Sequence, residues 1–258
     1  MRVFLTLFRV NLLFELAYRS NFFVQALESL SHLAFSILGL ALVYSHTAEL
    51  NGWSVYELLA LVGVFFAIGG LIGFIIQPSL QQFMQDIQKG TLDFALVKPV
   101  DAQLLVSMQS MRIWKLTDVL LGAGLIGFSM WKLQTAWNWL RVGQFVLALL
   151  DGAIIVYSFW MILATLAFWL IRVDNLLVIF ESLYEAGRWP VGIYPGWLRM
   201  ALTFIVPVAF ATTVPAQALT GRAQPEVLLG ATAMAAALLV VSRLIWRLGL
   251  RHYSGASA

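Results

Sequence analysis

From Leu58 to Gln85 the chain runs 28 residues without an aspartate, glutamate, lysine or arginine. No other feature limits its fold as much. A helix needs about 20 apolar residues to cross the hydrocarbon of a bilayer. In lipid, moreover, every backbone N–H and C=O must be satisfied within a helix or a closed barrel. A second charge-free run, Ser29 to Ala48, is 20 residues long. Only 11% of the 258 residues are charged, against about 25% in a soluble domain. So few charges cannot cover a water-facing surface of this size. The sequence predicts an all-α membrane protein.

Hydropathy places spans near Phe22–Tyr44, Leu58–Ile76, Leu116–Trp131 and Val142–Ile171, with a last one around Val227–Ser242 that Arg243 and Arg247 extend by snorkelling. Between Arg172 and Glu226 two stretches compete. Asn175–Ile193 carries Glu181, Glu185 and Arg188, whereas Met200–Gly221 is free of charge but contains Pro207 and Pro215. Either one gives six spans and the same orientation, and by hydropathy alone the second is better. With the N-terminus inside, and Asn175–Ile193 as the fifth span, eleven Lys and Arg (Arg172 among them) fall on inner segments and five on outer ones. That asymmetry puts both termini in the cytoplasm.

The first 20 residues are interrupted by Arg2, Arg9, Glu15 and Arg19, so they lack the clean apolar core of a cleaved signal. Arg2, Thr6 and Arg9 share one helix face, and Asn11, Glu15 and Arg19 another. The spacing predicts an amphipathic helix in the membrane interface, the alternative being a lead-in to the first span. Tryptophans near span ends, such as Trp131, Trp137, Trp139 and Trp197, suit interfacial anchors. Residues 1–258 form one transmembrane domain, whose sizeable cytoplasmic stretch is Pro78 to Met111 within a segment taken as 78–113.

Several chemistries are excluded. Without cysteine there is no disulfide or thiolate metal site, and His32, His46 and His252 are too scattered to form a ligand pair. A phosphate-binding GxxxxGK[ST] loop requires a Gly-Lys dipeptide, and the chain has none. Any ATP it uses binds another polypeptide. A net charge of +3 calls for no nucleic-acid partner. These features describe a chain that is not an enzyme and holds no cofactor or metal of its own.

The segment Gln85 to Val100 is the most informative. Gly90 breaks one helix and Pro99 limits the next. Leu92 and Leu96, one turn apart between them, predict a small helix docking its apolar side on a partner, or else an ordinary amphipathic surface loop. Asp86, Gly90, Thr91, Leu92, Asp93, Leu96, Pro99 and Val100 form an acidic-x-x-x-Gly-Thr-Leu-acidic-x-x-Leu-x-x-Pro-Val run. It resembles the segment between spans two and three of bacterial type 2 ATP-binding-cassette permeases. Gly187 to Leu198, with Pro190, Pro195 and Trp197, followed by Pro207, is similar to the stretch such permeases carry before their last span. Lys98-Pro99 and the run Pro207–Ala216 look closest to a branch with two different permeases per transporter.

The resemblance implies that Gly90, Thr91, Leu92, Asp93, Leu96, Lys98 and Pro99 belong to a coupling helix seated in an ATPase groove. It also implies that Asn175–Ile193 is the fifth span and that 194–221 folds back as a re-entrant outer gate, with Pro190 just before it and Pro195, Trp197 and Pro207 within it. The implied partners are two ATPase subunits that bind ATP and Mg, a second and different permease, and membrane lipid. The implied function is export of a hydrophobic or amphipathic compound (drug, toxin or lipid) across a bacterial cytoplasmic membrane.

Polar residues inside the spans are the candidates for a translocation path. Gln25, Glu28, Ser29, His32 and Ser36 share one face of the first span, and Glu181 and Glu185 lie one turn apart, with Asp174 below. Charges at membrane depth face protein or a wet cavity. These residues therefore line a path for cargo, favouring cations, or make helix-to-helix hydrogen bonds. Pairing of the glutamates with Arg188 is a further option. Gly69 and Gly73, with Gly63 and Gly70 nearby, signal close helix packing. Two rival functions remain: an ion-coupled secondary transporter using Glu28, Asp151 or Glu181 as proton sites, and a membrane scaffold that transports nothing.

Overall fold

The computed structural model describes residues 2–17, 19–134, 138–170 and 174–253. Trp137 and Arg172 lie outside these residues, as do the side chains of Arg2, Arg19 and Asp174. The described chain is helical, without strands. Helices α1 (Arg2–Ala17) and α2 (Arg19–Tyr44) lead into the central α3 (Val55–Leu71), which passes through a π-turn (Ile72–Ile76) into α4 (Gln77–Gln88). Two short helices, α5 (Asp93–Leu96) and α6 (Ala102–Val106), precede α7 (Leu116–Lys132) and α8 (Trp139–Thr165). Then come α9 (Asp174–Tyr184), α10 (Gly196–Met200), α11 (Val208–Ala211), α12 (Thr213–Thr220) and the closing α13 (Pro225–Leu250).

Helix α3 sits at the centre. Its apolar stretch, continued into α4, is 78% buried, against 17% for α2 and 22% for α7 and α13. It starts on a capping box: Ser54 Oγ accepts from Glu57 N while the Glu57 carboxylate accepts from Ser54 N. Pro78 explains the π-turn. Lacking an N–H, Pro78 cannot bond Phe74 O four residues back. The carbonyl is released in a π-turn, and the backbone N–H of Arg112 takes it at 2.8 Å. Ser79 Oγ holds the same loop by donating to Ser110 O at 2.6 Å.

Close packing of α3 on α7 depends on glycines, in a register different from the Gly69–Gly73 pair. A Cβ on Gly122 would lie 2.5 Å from Gly63 O and 2.6 Å from Ala67 N, and one on Gly70 would lie 2.8 Å from Val119 N. Gly63 and Gly70, two turns apart, therefore form the seam. Gly69 instead leaves room for Tyr184, and Gly73 for Lys115.

Five described helices are long and apolar enough to cross a membrane, and a bent pair, Gly196–Ile205 with Val208–Thr220, counts as a sixth if taken together. The pair is broken by 71° at Val206–Pro207. Helix α9 is shorter than a full span, and the residues from Glu181 to Gly192 run along the bundle beside α3. Glu181 meets Gln77 at the start of α4, and Gly192 packs on Asn51 beside the start of α3. The bent pair begins and finishes at that same Ser54 end. Arg199 binds Gly192 O, Gly221 sits on Arg141 near the start of α8, and Arg222 reaches Glu57. Between these ends it dips to Gly152, where a Cβ would come 2.8 Å from Phe210 O.

Candidate functional site

Two regions of the bundle carry the residues singled out by sequence. The first is the Gly90 end. Helix α4 closes in a Schellman motif, with Gly90 at φ +70°, Thr91 N donating to Asp86 O at 2.9 Å and Gly90 N donating to Ile87 O at 3.2 Å. The Asp86 carboxylate fastens this turn by accepting from Thr91 Oγ1 and Gln82 Nε2, each at 3.0 Å, and from Gln109 Nε2 at 3.2 Å. The acidic, glycine and threonine positions of the run are thus one capping device.

Helix α5 turns the opposite face outward from the one its leucine spacing predicts. Leu92 is 0% exposed, part of the chain's own core, and Leu96 is half-buried against that core. The outward residues are Phe94 and Val97, 72% and 79% exposed, with Lys98, Pro99 and Val100 beside them. The i to i+4 spacing misled because α5 has a single turn, and the core it covers lies on its leucine side. Beyond it, Asp101 caps α6 by accepting from Leu104 N at 3.0 Å and pairs with Arg243 of α13.

The second region is a cavity of about 230 Å³ bounded by α2, α3 with its π-turn, the start of α7, α8 and α9. Glu28 and His32 reach it from α2, and Glu181 and Glu185 from α9 and the turn that follows it. Gln25, half-buried on α2, is not on its wall. Sequence inspection overlooked the opposite wall, where Lys115 and Asp118 pair at 3.2 Å and Trp160 is fully buried. Asp118 was visible only as a charge at a span end, and Trp160 carried no signal at all.

Aromatic rings shape the rest of the cavity. Phe65 stacks on Tyr184 at 4.9 Å, and Tyr184 Oη donates to Phe65 O at 2.9 Å. Arg188 pairs with Glu185 and places its guanidinium 5.3 Å from the Phe65 ring centroid. Glu181 accepts from the Gln77 amide, with Arg112 acting on it only at longer range. Asp151 lies elsewhere, in a smaller core where Thr232 of α13 donates to it at 2.6 Å.

The residues expected in a gate are divided. Pro190 and Pro207 are buried, Pro195 is exposed, and Trp197 projects outward at 74% exposure. Among the described residues no His, Asp or Glu cluster is arranged to hold a metal ion.

Residues 30–257 match a protein family described as ABC-2 family transporter protein. The chain belongs to the ABC-2 transporter family. No curated protein matches it, nor does any solved structure. Membership makes this a multi-pass membrane subunit of an ABC transporter, with a transport role rather than a catalytic one, and implies an ABC ATPase as its partner. In this ABC-2 subunit the matched residues take in both the Gly90 turn and the whole cavity apart from Glu28 and Ser29.

Proposed function

We propose that this chain is the permease half of an ATP-driven exporter that moves a hydrophobic or amphipathic compound out of a bacterial cytoplasm. It pairs with a second, different permease and with two ATPase subunits that bind ATP and Mg. Both termini lie in the cytoplasm, in line with the excess of Lys and Arg on the segments at the Gly90 end.

The observation that carries this reading is the separation of three parts along one bundle. An exposed apolar tip, Phe94 and Val97, stands on a fastened turn at one end. A cavity lined by aromatic and charged side chains lies between helices in the middle. At the far end is a hairpin bent by 71°. Large exposed side chains on a short helix among polar loops suit a protein groove better than water. Irregular backbone at membrane depth is tolerated where protein covers it, and Val208–Ala211 is buried against α8. We take Asn175–Ile193 as the fifth crossing, 194–221 as a re-entrant outer gate, and 78–113 as the coupling segment. ATPase closure pushes on α5, and the firmly capped turn at Gly90 transmits the push into α4 and α3.

Affinity purification of the tagged chain from mild detergent tests this. An ABC ATPase and a second permease should come with it, and reconstituted vesicles should move cargo only with ATP. A chain that purifies alone and transports on a proton gradient would overturn the proposal.

A further inference from the structure

The cavity wall holds polar chemistry that the protein itself leaves unmet. Four carboxylates (Glu28, Asp118, Glu181, Glu185) face it against two fixed cations, Lys115 and Arg188. Lys115 is held by Asp118 and Arg188 by Glu185. Among the described residues, Glu28 and Glu181 have no ion-pair partner. Acidic residues alone would not make a site. Independently, Asp118, 9% exposed and on the same wall, has no partner for its buried Oδ1, an acceptor; the N–H donors Trp160 Nε1 and Arg188 Nε also lack partners but are not met by a cation. Buried polar atoms are nearly always paired, so the unmet acceptor, beside carboxylates in excess of cations, points to a positively charged group that binds there.

The geometry points to an organic cation: we propose that this cavity is a binding site for the ammonium head group of an amphiphile, and that Arg188 occupies part of the site when it is empty of ligand. An anion would meet uncompensated carboxylates. A purely apolar guest would strand them at membrane depth, where unpaired charge is costly. A cation neutralises Glu28 and Glu181 and finds ring faces on Phe65, Trp160, Phe180 and Tyr184, and such faces attract ammonium groups. Arg188 already demonstrates the fit, since its guanidinium lies over Phe65 beside Glu185.

Size and opening are consistent with a head group. At about 230 Å³ the cavity is below the roughly 300–1,000 Å³ of sites that enclose a drug-sized molecule. Glu28 and His32 are exposed on α2, and Val24 and Phe35, a turn to either side, are exposed apolar residues. The body of an amphiphile would leave the cavity along that helix. Arg188 stands two residues before Pro190, where the chain turns toward the bent hairpin. A ligand that displaces Arg188 from Glu185 and Phe65 therefore loosens the root of that hairpin. This inference rests on the exporter reading for its claim that the cavity lies on the cargo path; binding itself does not depend on it.

The test is equilibrium binding to the intact transporter in lipid nanodiscs, using radiolabelled benzyltrimethylammonium and its neutral carbon isostere, neopentylbenzene. Saturable binding of the cation is expected, with the isostere at least about tenfold weaker, the loss of roughly one ion-pair or cation–π contact. Glu181→Gln and Glu28→Gln should each weaken cation binding by about that factor, and Arg188→Gln should tighten it. Glu28 is exposed, so its variant is informative even if Glu181→Gln fails to fold. Absence of saturable binding, equal binding of the two probes, or unchanged binding in both glutamine variants would each overturn the proposal. Failure of cation binding in a complex that still exports other cargo on ATP sinks this inference alone. Cation binding without any ATP-driven movement would instead sink the exporter reading.

Discussion

Arg222 and Glu57, far apart in sequence, meet through two charge-assisted hydrogen bonds: Nε donates to Oε1 and Nη2 to Oε2, each at 2.7 Å. The same carboxylate accepts from Ser54 N at 2.8 Å and Ser54 Oγ at 2.9 Å. Trp53 lies under the guanidinium, 5.4 Å from it. One side chain thus caps the central helix and ties the exit of the bent hairpin to it.

Glu57→Ala removes both functions and leaves Arg222 without its carboxylate. A loss of about 1.5–3 kcal/mol is expected, the usual worth of hydrogen bonds to charged groups. It would be read as a lowered melting temperature in detergent. A double-mutant cycle with Arg222→Gln should give a coupling well above experimental error. If the two substitutions prove additive, the bond does not hold in solution.

Two glycines on α7 separate packing from helix propensity. Gly122→Ala would force its Cβ to within 2.5 Å of Gly63 O, so the helices must part, at a cost of roughly 1–3 kcal/mol. Gly124 has nothing within 4 Å of an added Cβ, so Gly124→Ala should be neutral or gain up to about 1 kcal/mol. Thermal unfolding of the two variants side by side checks this.

At the coupling segment, stability and docking should come apart. Leu92→Ala empties a fully buried position and should cost about 2–5 kcal/mol. Phe94→Ala combined with Val97→Ala changes exposed side chains and should leave the melting temperature near wild type. Capture of the ATPase subunit should fall by about thirtyfold, the effect of losing an interface hot spot of some 2 kcal/mol. Undiminished capture by the double variant would show that the ATPase binds elsewhere.

Asp101 provides a pH test outside the spans. The bond from Arg243 holds its carboxyl below the ordinary value of 3.8, with a smaller push from the Leu104 N–H against the opposing effect of burial. A group whose pKa is depressed by folding stabilises the fold fully above its unfolded value, and that stability is lost as pH falls through the folded one. Asp101→Asn should therefore be less stable than wild type at neutral pH, and the difference should vanish as pH is lowered below 3.8. Both side chains are about 40% exposed, so the difference is small and shrinks further at high salt. Melting curves across pH 7 to pH 3 would show the convergence.

Much of the architecture was legible in the residues. Hydropathy marked four of the spans and the core of the last one. Gly90 marked the end of α4, and the prolines of 190–215 marked a broken stretch rather than a clean span. The acidic and glycine positions around Asp86 also proved to be a unit, although their capping role emerged only from the bonds they make. By contrast, the helix spacing of Leu92 and Leu96 pointed at the wrong face, and Gly69–Gly73 suggested a seam that Gly63 and Gly70 actually form. Lys115, Asp118 and Trp160 reach the cavity of Glu28 and Glu181 from helices distant in sequence.

Apolarity, helix breaks and missing N–H groups act on a few neighbouring residues, so composition and order alone determined where five of the long helices run and where α4 stops, while the choice between the two stretches after Arg172 stayed open. Which face of each helix turns inward was decided only in three dimensions. Lipid is as apolar as leucine, so hydropathy cannot separate a lipid-facing residue from a packed one. The choice falls to glycine seams, to the carbonyl that Pro78 releases, and to carboxylates such as Glu57 that find their partners across the bundle.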